Sequence, residues 1–202
     1  AKGLDDVSCQ PATPVDFSDD FMRLPQEQSD WEPVTGTWQV QQDRGDRNAG
    51  EVSMSANPFR YEASASGETE GRAVVGSWAW DDYEAEVSVR PTCETVGILG
   101  HYESPESYLA LQVPVVKKGD KPGSVSLVVC SQGQRRVIAT AQGACRWDEW
   151  TRLGLRISGG YVQALVDGEI LAEALDPVRG VGRAGLTLTG GKALFDDVSV
   201  KA

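Results

Sequence analysis

The chain has 202 residues, 40% of them hydrophobic and 24% charged, which suits one domain built on one substantial core. Nineteen basic against thirty acidic residues give a formal charge of −11. Phosphate binding needs a basic patch, so nucleic acid and anionic membrane are excluded as main partners. No apolar run approaches the roughly 20 residues of a membrane-spanning helix, which excludes membrane insertion by helices.

In chain order, residues 1 to 15 show no period and carry two prolines, Pro11 and Pro14, so they read as an N-terminal arm. From residue 16 to 202 the pattern is one domain of short strands punctuated by Gly, Asp, Asn and Pro. "YEAEVSVR" sets Tyr83, Ala85, Val87 and Val89 against Glu84, Glu86, Ser88 and Arg90. "SYLALQVPV" sets Leu109, Leu111 and Val113 against Tyr108, Ala110 and Gln112. A hairpin is expected to turn at Gln132-Gly133 in "VVCSQGQRRVI". "WTRLGLRIS" alternates Leu153, Leu155 and Ile157 with Arg152, Gly154 and Arg156, and "ALVDGEIL" places the turn pair Asp167-Gly168 between two apolar runs. Helical periodicity is scarcely visible, and the spacing of turn signals predicts an all-β, two-sheet antiparallel sandwich.

The four cysteines, Cys9, Cys93, Cys130 and Cys145, form no CxxC pair, and the lone His101 does not complete a zinc site of normal spacing. An even count in a loop-rich β chain predicts two disulfides and an oxidising, extracytoplasmic setting, secreted or in the cell envelope. Buried free thiols are the other outcome. Three pairings are open, with Cys130–Cys145 the more local. The small first residue is compatible with removal of a leader.

Several pieces taken in order, "FSDDF", "GTWQV", "WAWDDYEAEVSV", "VGILGHYESPESYLALQV", "WTRLGLRISGGYVQALVDGEIL", "GRAGLTLTGG" and "ALFDDVSV", resemble the concanavalin A-like, laminin-G-like jelly rolls of secreted bacterial proteins. The likeness runs from about residue 17 to 200 and rests on the order of individually weak motifs. It implies a jelly roll in which the first and last strands pair, with Gly182 and Gly185 at close backbone approaches. It also implies a recognition module for glycans or cell-surface proteins. Some relatives of that fold are glycosidases or polysaccharide lyases, so the fold does not fix the function.

Asp82, Glu84 and Glu86 alternate as do the catalytic E-x-D-x-E acids of family-16 glycoside hydrolases. Retaining chemistry needs carboxyls about 5–5.5 Å apart. Strand positions four apart lie roughly 13 Å apart at Cα, and Asp82 is one methylene shorter than the glutamate it replaces. The acids are therefore expected to line a strand face and not to catalyse. Arg152 and Arg156 share a polar strand face, where they bind an acidic sugar or, as the blander reading, pair with Glu84 and Glu86. Asp19 and Asp20, with Asp196 and Asp197, fall at the expected closing seam. The resemblance implies a structural Ca²⁺ there, with Asp20 and Asp197 as ligands, and turn capping is the alternative.

Of six tryptophans, Trp38, Trp78 or Trp80, and Trp150 occupy positions that the resemblance assigns to the core. Trp78 and Trp80 would share a face with the acids if their strand began that early. Tyr102 and Tyr108, flanking "ESPES", are expected as exposed rings for stacking on sugars. His101 matches the histidine that lyases of this fold use, without their "QIH" context, and reads as structural. The expectation is a non-catalytic, extracytoplasmic module that binds glycan through Trp78, Trp80, Glu84, Glu86, His101, Tyr102, Tyr108, Arg152 and Arg156. A structural or protein-interaction subunit of a surface assembly is one alternative. An enzyme, glycoside hydrolase or lyase, is the other.

Overall fold

The computed structural model describes residues 14–42, 57–67, 69–121 and 123–202. Their strands are, in chain order, β1 (Asp16–Asp19), β2 (Glu32–Thr35), β3 (Thr37–Gln42), β4 (Phe59–Ala65), β5 (Gly71–Val75) and β6 (Tyr83–Thr92). Next come β7 (Thr95–Ser104), β8 (Ser107–Val116), β9 (Ser124–Ser131), β10 (Gln134–Gln142) and β11 (Cys145–Arg146). The last are β12 (Thr151–Ser158), β13 (Tyr161–Val166), β14 (Glu169–Leu175), β15 (Arg183–Thr189) and β16 (Gly191–Lys201). Among the described residues there is no helix.

Two eight-stranded sheets face each other. Sheet A runs β14-β13-β12-β6-β16-β4-β3, with β1 pairing β16, and sheet B runs β10-β9-β8-β7-β15-β5-β2, with β11 pairing the end of β8. All ladders are antiparallel save β11–β8. The alternations read from sequence sort side chains as expected: Tyr83, Ala85, Val87, Val89, Leu109, Leu111, Val113, Leu153, Leu155 and Ile157 all enter the core between the sheets. Branched and aromatic side chains fill a pleated, half-buried surface well, which is why these runs are strands.

Both hairpins turn where the sequence places them. Gln132 and Gly133 have φ of 52° and 76°, and Asp167 and Gly168 have 50° and 82°, the left-handed pairs that type I′ turns require. The first strand lies on the last, Phe17 opposite Val200. At Gly182 a Cβ would stand 2.6 Å from the His101 carbonyl carbon, and at Gly185 2.6 Å from the Ala73 carbonyl oxygen, so neither position has room for a side chain.

Beneath the β1–β16 seam an aromatic cluster closes that side of the core. Phe21 stacks on Tyr61 at 5.0 Å, and Trp38 lies 5.3 Å from Tyr61 and 5.7 Å from Phe195. Tyr61 is buried deeply enough to push its phenol well above the ordinary range. Of the expected arm, residues 1–13 lie outside the described residues.

Three expectations are corrected here. Cys93, Cys130 and Cys145 are free, buried thiols. Cys130 points to the outward face of sheet B while Cys145 enters the core between the sheets, so the proposed Cys130–Cys145 bridge has a sheet between its ends. Cys9 lies outside the described residues. Trp150, expected in the core, is exposed and lies under the Arg60 guanidinium at 5.5 Å. β6 begins at Tyr83, so Trp78 and Trp80 stand on the preceding loop and do not share a strand face with Glu84 and Glu86.

Candidate functional site

The two alternating faces of the sandwich carry different chemistry. On the outward face of sheet A, β6 and β12 align Glu84 opposite Arg156 and Glu86 opposite Gly154. Arg156 donates twice to Glu84, at 2.8 and 3.1 Å. Arg152 donates to Glu86 at 3.1 Å, to Ser88 Oγ at 3.3 Å and to the Asp197 carbonyl at 2.6 Å. Asp82 is not on the strand and accepts from the Gly159 N–H at 3.0 Å. All three acids already have partners, and this face is a solvated lattice of ion pairs.

Sheet B presents the opposite case. Its outward face holds a second buried cluster: Val74, Leu99, Tyr102, Tyr108, Ala110, Val128 and Cys130. Tyr102 and Tyr108, expected to be exposed, are 2% and 3% accessible, with rings stacked at 6.2 Å. Long polar side chains roof them. Arg72 of β5 lies 4.5 Å over the Tyr108 ring and donates to its hydroxyl at 2.9 Å. Arg183 of β15 lies 4.1 Å over Trp78 and 6.0 Å from Tyr102. Burial pushes both tyrosine hydroxyls up, against the pull of the nearby arginine charge.

These roofing groups form a network. Glu70 accepts from Arg72 at 2.7 Å, from Thr187 of β15 at 2.7 Å and from Arg135 of β10 at 3.2 Å. Burial alone would push the Glu70 carboxyl up, but the hydrogen bonds of Arg72 and Thr187 outweigh it and hold the group below its usual range. Arg72 is likewise destabilised as a cation by burial and restored, with a net upward shift, by Glu70. Arg183 is paired with Glu32 of β2 at 2.6 Å. The guanidinium forks are thus locked in place, and a locked Arg fork presents planar, directional donors.

Next to this network β7 bulges. Its register with β8 slips between Gly100 and Ser104, and His101 takes φ 44°. A cleft of about 280 Å³ opens there, lined by Trp78, His101, Glu103, Ser107, Val178 and Val181 among others. Trp78 is 54% exposed at its rim. His101 is a pin and not a reagent: its ring is buried, Nε2 donates to the Asp81 carbonyl at 2.8 Å, and Nδ1 lies 3.6 Å from Asp176. Its backbone N–H donates to the Tyr83 hydroxyl at 2.8 Å. The lyase-type base role does not suit a buried ring whose Nε2 is tied to a backbone carbonyl. Trp80 is 4% accessible and packs on Tyr83 at 6.0 Å, so it offers no face to a ligand.

At the seam stand the four acids expected around a Ca²⁺. Asp19 accepts from Arg23 at 2.6 and 2.8 Å and from the Trp31 indole at 3.0 Å. Asp20 caps the Met22 N–H at 3.0 Å, and Asp197 sits exposed at φ 48° in a bulge of β16. Asp196 is buried and pairs with Arg60 at 3.0 Å. Arg23 faces Asp19 and Arg60 faces Asp196, while Asp197 and Asp20 act on Asp196 as like charges. Among the described residues no three His, Cys, Asp or Glu come together as a metal site.

The sequence brought out Trp78, Tyr102, Tyr108 and His101, which the structure places around one site, and Glu84, Glu86, Arg152 and Arg156, which it places on the opposite face. Reading the sequence missed Glu70, Arg72, Arg135, Arg183, Glu32 and Thr187. Apart from Glu70 with Arg72, two positions apart, their contacts span 36 to 151 residues of chain, and no local motif marks them.

No protein-family model matches the sequence, and no curated protein matches it. Solved structures do match. The carbohydrate binding module CBM66 from Bacillus subtilis superposes with a TM-score of 0.64 at 17% identity, covering 86% of this chain and 96% of that one. A Bacillus subtilis protein of unknown function with a galectin-like fold gives 0.60 at 15%, covering 95% and 97%. The Bacillus licheniformis beta-glucanase gives 0.59 at 14%, covering 94% and 99%. The fold is therefore the concanavalin A-like jelly-roll sandwich.

Proposed function

We propose that this chain is a non-catalytic glycan-binding module whose site is the outward face of sheet B at the Trp78 cleft, and that it takes a neutral saccharide. One observation carries the reading: the locked Glu70–Arg72–Arg135 network lies on the same face as an exposed indole. A sugar has an apolar C–H face and hydroxyls that both donate and accept. Trp78 supplies the stacking surface, and the guanidiniums and carboxylates, already engaged with one another in ion pairs, supply directional donors and acceptors for the hydroxyls. Neighbours of the same fold named as a carbohydrate binding module and a beta-glucanase support the glycan class.

The non-catalytic part rests on the carboxylates. Glu70 is held ionised by three partners. Glu103 is the one carboxylate among the residues lining the Trp78 cleft, and Asp196, whose carboxyl burial pushes up, stands at the Arg60 seam of sheet A. A glycosidase needs a raised acid beside a second carboxylate in the cleft itself.

The test is a glycan array followed by titration calorimetry on the wild type, Trp78→Ala and Arg72→Lys, each in Ca²⁺ and in EDTA. Binding of at least one neutral oligosaccharide is expected, weakened about tenfold or more (~1.4 kcal/mol) by Trp78→Ala and unaffected by EDTA. A silent array, or wild-type affinity in both variants, overturns the reading.

A further inference from the structure

We propose a second, independent binding site at another edge of the sandwich, a Trp147 cleft that takes a saccharide bearing a carboxylate. Two loops build it. The strand β8 ends at Val116 and runs into a turn at Lys117–Asp120, while β11 leads into Trp147. The parallel pairing of Cys145 with Val115 and Arg146 with Val116 fixes their register. The Trp147 N–H donates to the Val116 carbonyl at 2.9 Å and the Asp148 N–H to the Pro91 carbonyl at 2.8 Å, so the tryptophan is clamped to both sheets. Between the loops lies a cleft of about 800 Å³, within the range of small-molecule sites.

Its charge sets it apart from the rest of the surface. Arg72, Arg152, Arg156 and Arg183 each hold a glutamate. Lys117, Lys118 and Arg146 line this cleft, and among the described residues none of them forms an ion pair. Asp120 also lines it, but its carboxylate is engaged in closing the turn, accepting from the Lys117 N–H at 2.8 Å. Glu149 lines the cleft as well, so three cations stand against two carboxylates there, a net positive charge in a chain of formal charge −11.

The indole adds the second element of recognition. Trp147 is 38% exposed, and the Lys117 ammonium rests 4.4 Å from its ring centroid. An exposed cation–π contact of this kind is worth only about 0.5–1 kcal/mol. A sugar ring stacking on the indole displaces it readily, and the freed ammonium then meets the carboxylate on that sugar. The formal charge of −11 opposes a densely charged polyanion more than a ligand with one carboxylate per ring.

The experiment titrates a galacturonate trimer into the full chain, following tryptophan fluorescence and heat. Parallel arms use the fully methyl-esterified trimer and a sulfated trisaccharide. Binding of the free-acid trimer is expected, reduced at least tenfold by esterification, by Trp147→Ala and by raising salt to about 0.5 M, where screening is short-ranged. Trp78→Ala should leave it unchanged, so failure here and failure of the neutral-glycan site are separately visible. Should Trp147→Ala misfold, Lys117→Gln with Lys118→Gln carries the same expectation. No binding by millimolar acid trimer, equal binding of the ester, preference for the sulfated sugar, or insensitivity to the Trp147 and lysine variants each overturns the proposal.

Discussion

Replacing Glu70 by Gln isolates what holds the sheet-B face together. The substitution keeps size and shape but exchanges one carboxylate oxygen for an NH₂, which turns a donor toward the guanidiniums. The amide oxygen still serves Thr187, so the loss falls on Arg72 at 2.7 Å and Arg135 at 3.2 Å. Arg72 and Glu70 are 11% and 10% accessible, and a hydrogen bond to a charged partner in that setting is worth about 1.5–3 kcal/mol. Arg135 is 44% accessible and its pairing contributes less than about 1 kcal/mol. The sum is roughly 1.5–4 kcal/mol, which for a domain of this size lowers Tm by about 3–16 °C. The pH dependence supplies a second reading. The Glu70 carboxyl is held below its usual range because, although burial raises it, the hydrogen bonds of Arg72 and Thr187 lower it more. Its stabilisation is therefore complete above the ordinary carboxylate range and disappears as pH falls through the depressed value. Calorimetric melts of both proteins should differ at neutral pH and converge in acid. A shift below about 1 °C at pH 7, or a difference that persists in acid, would refute the network as the element that orders this face.

Asp196 titrates with the opposite sign. Burial pushes its carboxyl up to about 6 despite Arg60, with Asp197 and Asp20 adding to the rise. The folded state then binds that proton more tightly than the unfolded chain, so stability falls as pH rises from about 4 to 6. Urea denaturation should show Asp196→Asn gaining on the wild type by of order 1 kcal/mol between pH 4 and 7.5; a pH-independent difference removes the attribution. The thiols give a chemical check. Burial pushes Cys93 and Cys145 up to about 12, and Cys130 is buried as well. Iodoacetamide at pH 8 should leave all three unmodified in the native protein and alkylate all three in denaturant without reductant. A residue still unmodified after unfolding is in a disulfide and contradicts the free-thiol assignment.

The sequence revealed what depends on local period. Alternation in "YEAEVSVR" and "WTRLGLRIS" sorts inward from outward residues because a strand has only two faces, and Asp167-Gly168 turns the chain because its backbone must go left-handed there. It did not reveal which outward residues are covered. Tyr108 alternates as a surface residue does, yet Arg72, thirty-six positions earlier, lies over it. Trp150 occupies a motif position that the resemblance gives to the core, yet it stands outside with Arg60 across its ring. Cysteine parity suggested disulfides, but parity carries no information about which side of a sheet each thiol faces.

The two faces use the same pairing chemistry to opposite ends, and burial separates them. Arg156 with Glu84 and Arg152 with Glu86 are between 30% and 38% accessible, so water and salt compete for each charge and the side chains remain free to reorient. Around Glu70 the Glu70–Arg72 pair is near 10%, and Thr187 and Tyr108 occupy further bonding positions. There the guanidinium has one geometry before any ligand arrives, and the ordering cost of binding is already met by the fold. An acid-rich strand in the sequence pointed to sheet A as the interesting face. The arrangement that the glycan proposal calls for, a paired guanidinium beside an exposed indole, is found on sheet B, where Arg183 lies 4.1 Å over Trp78. The acids of β6 lack it because nothing covers them.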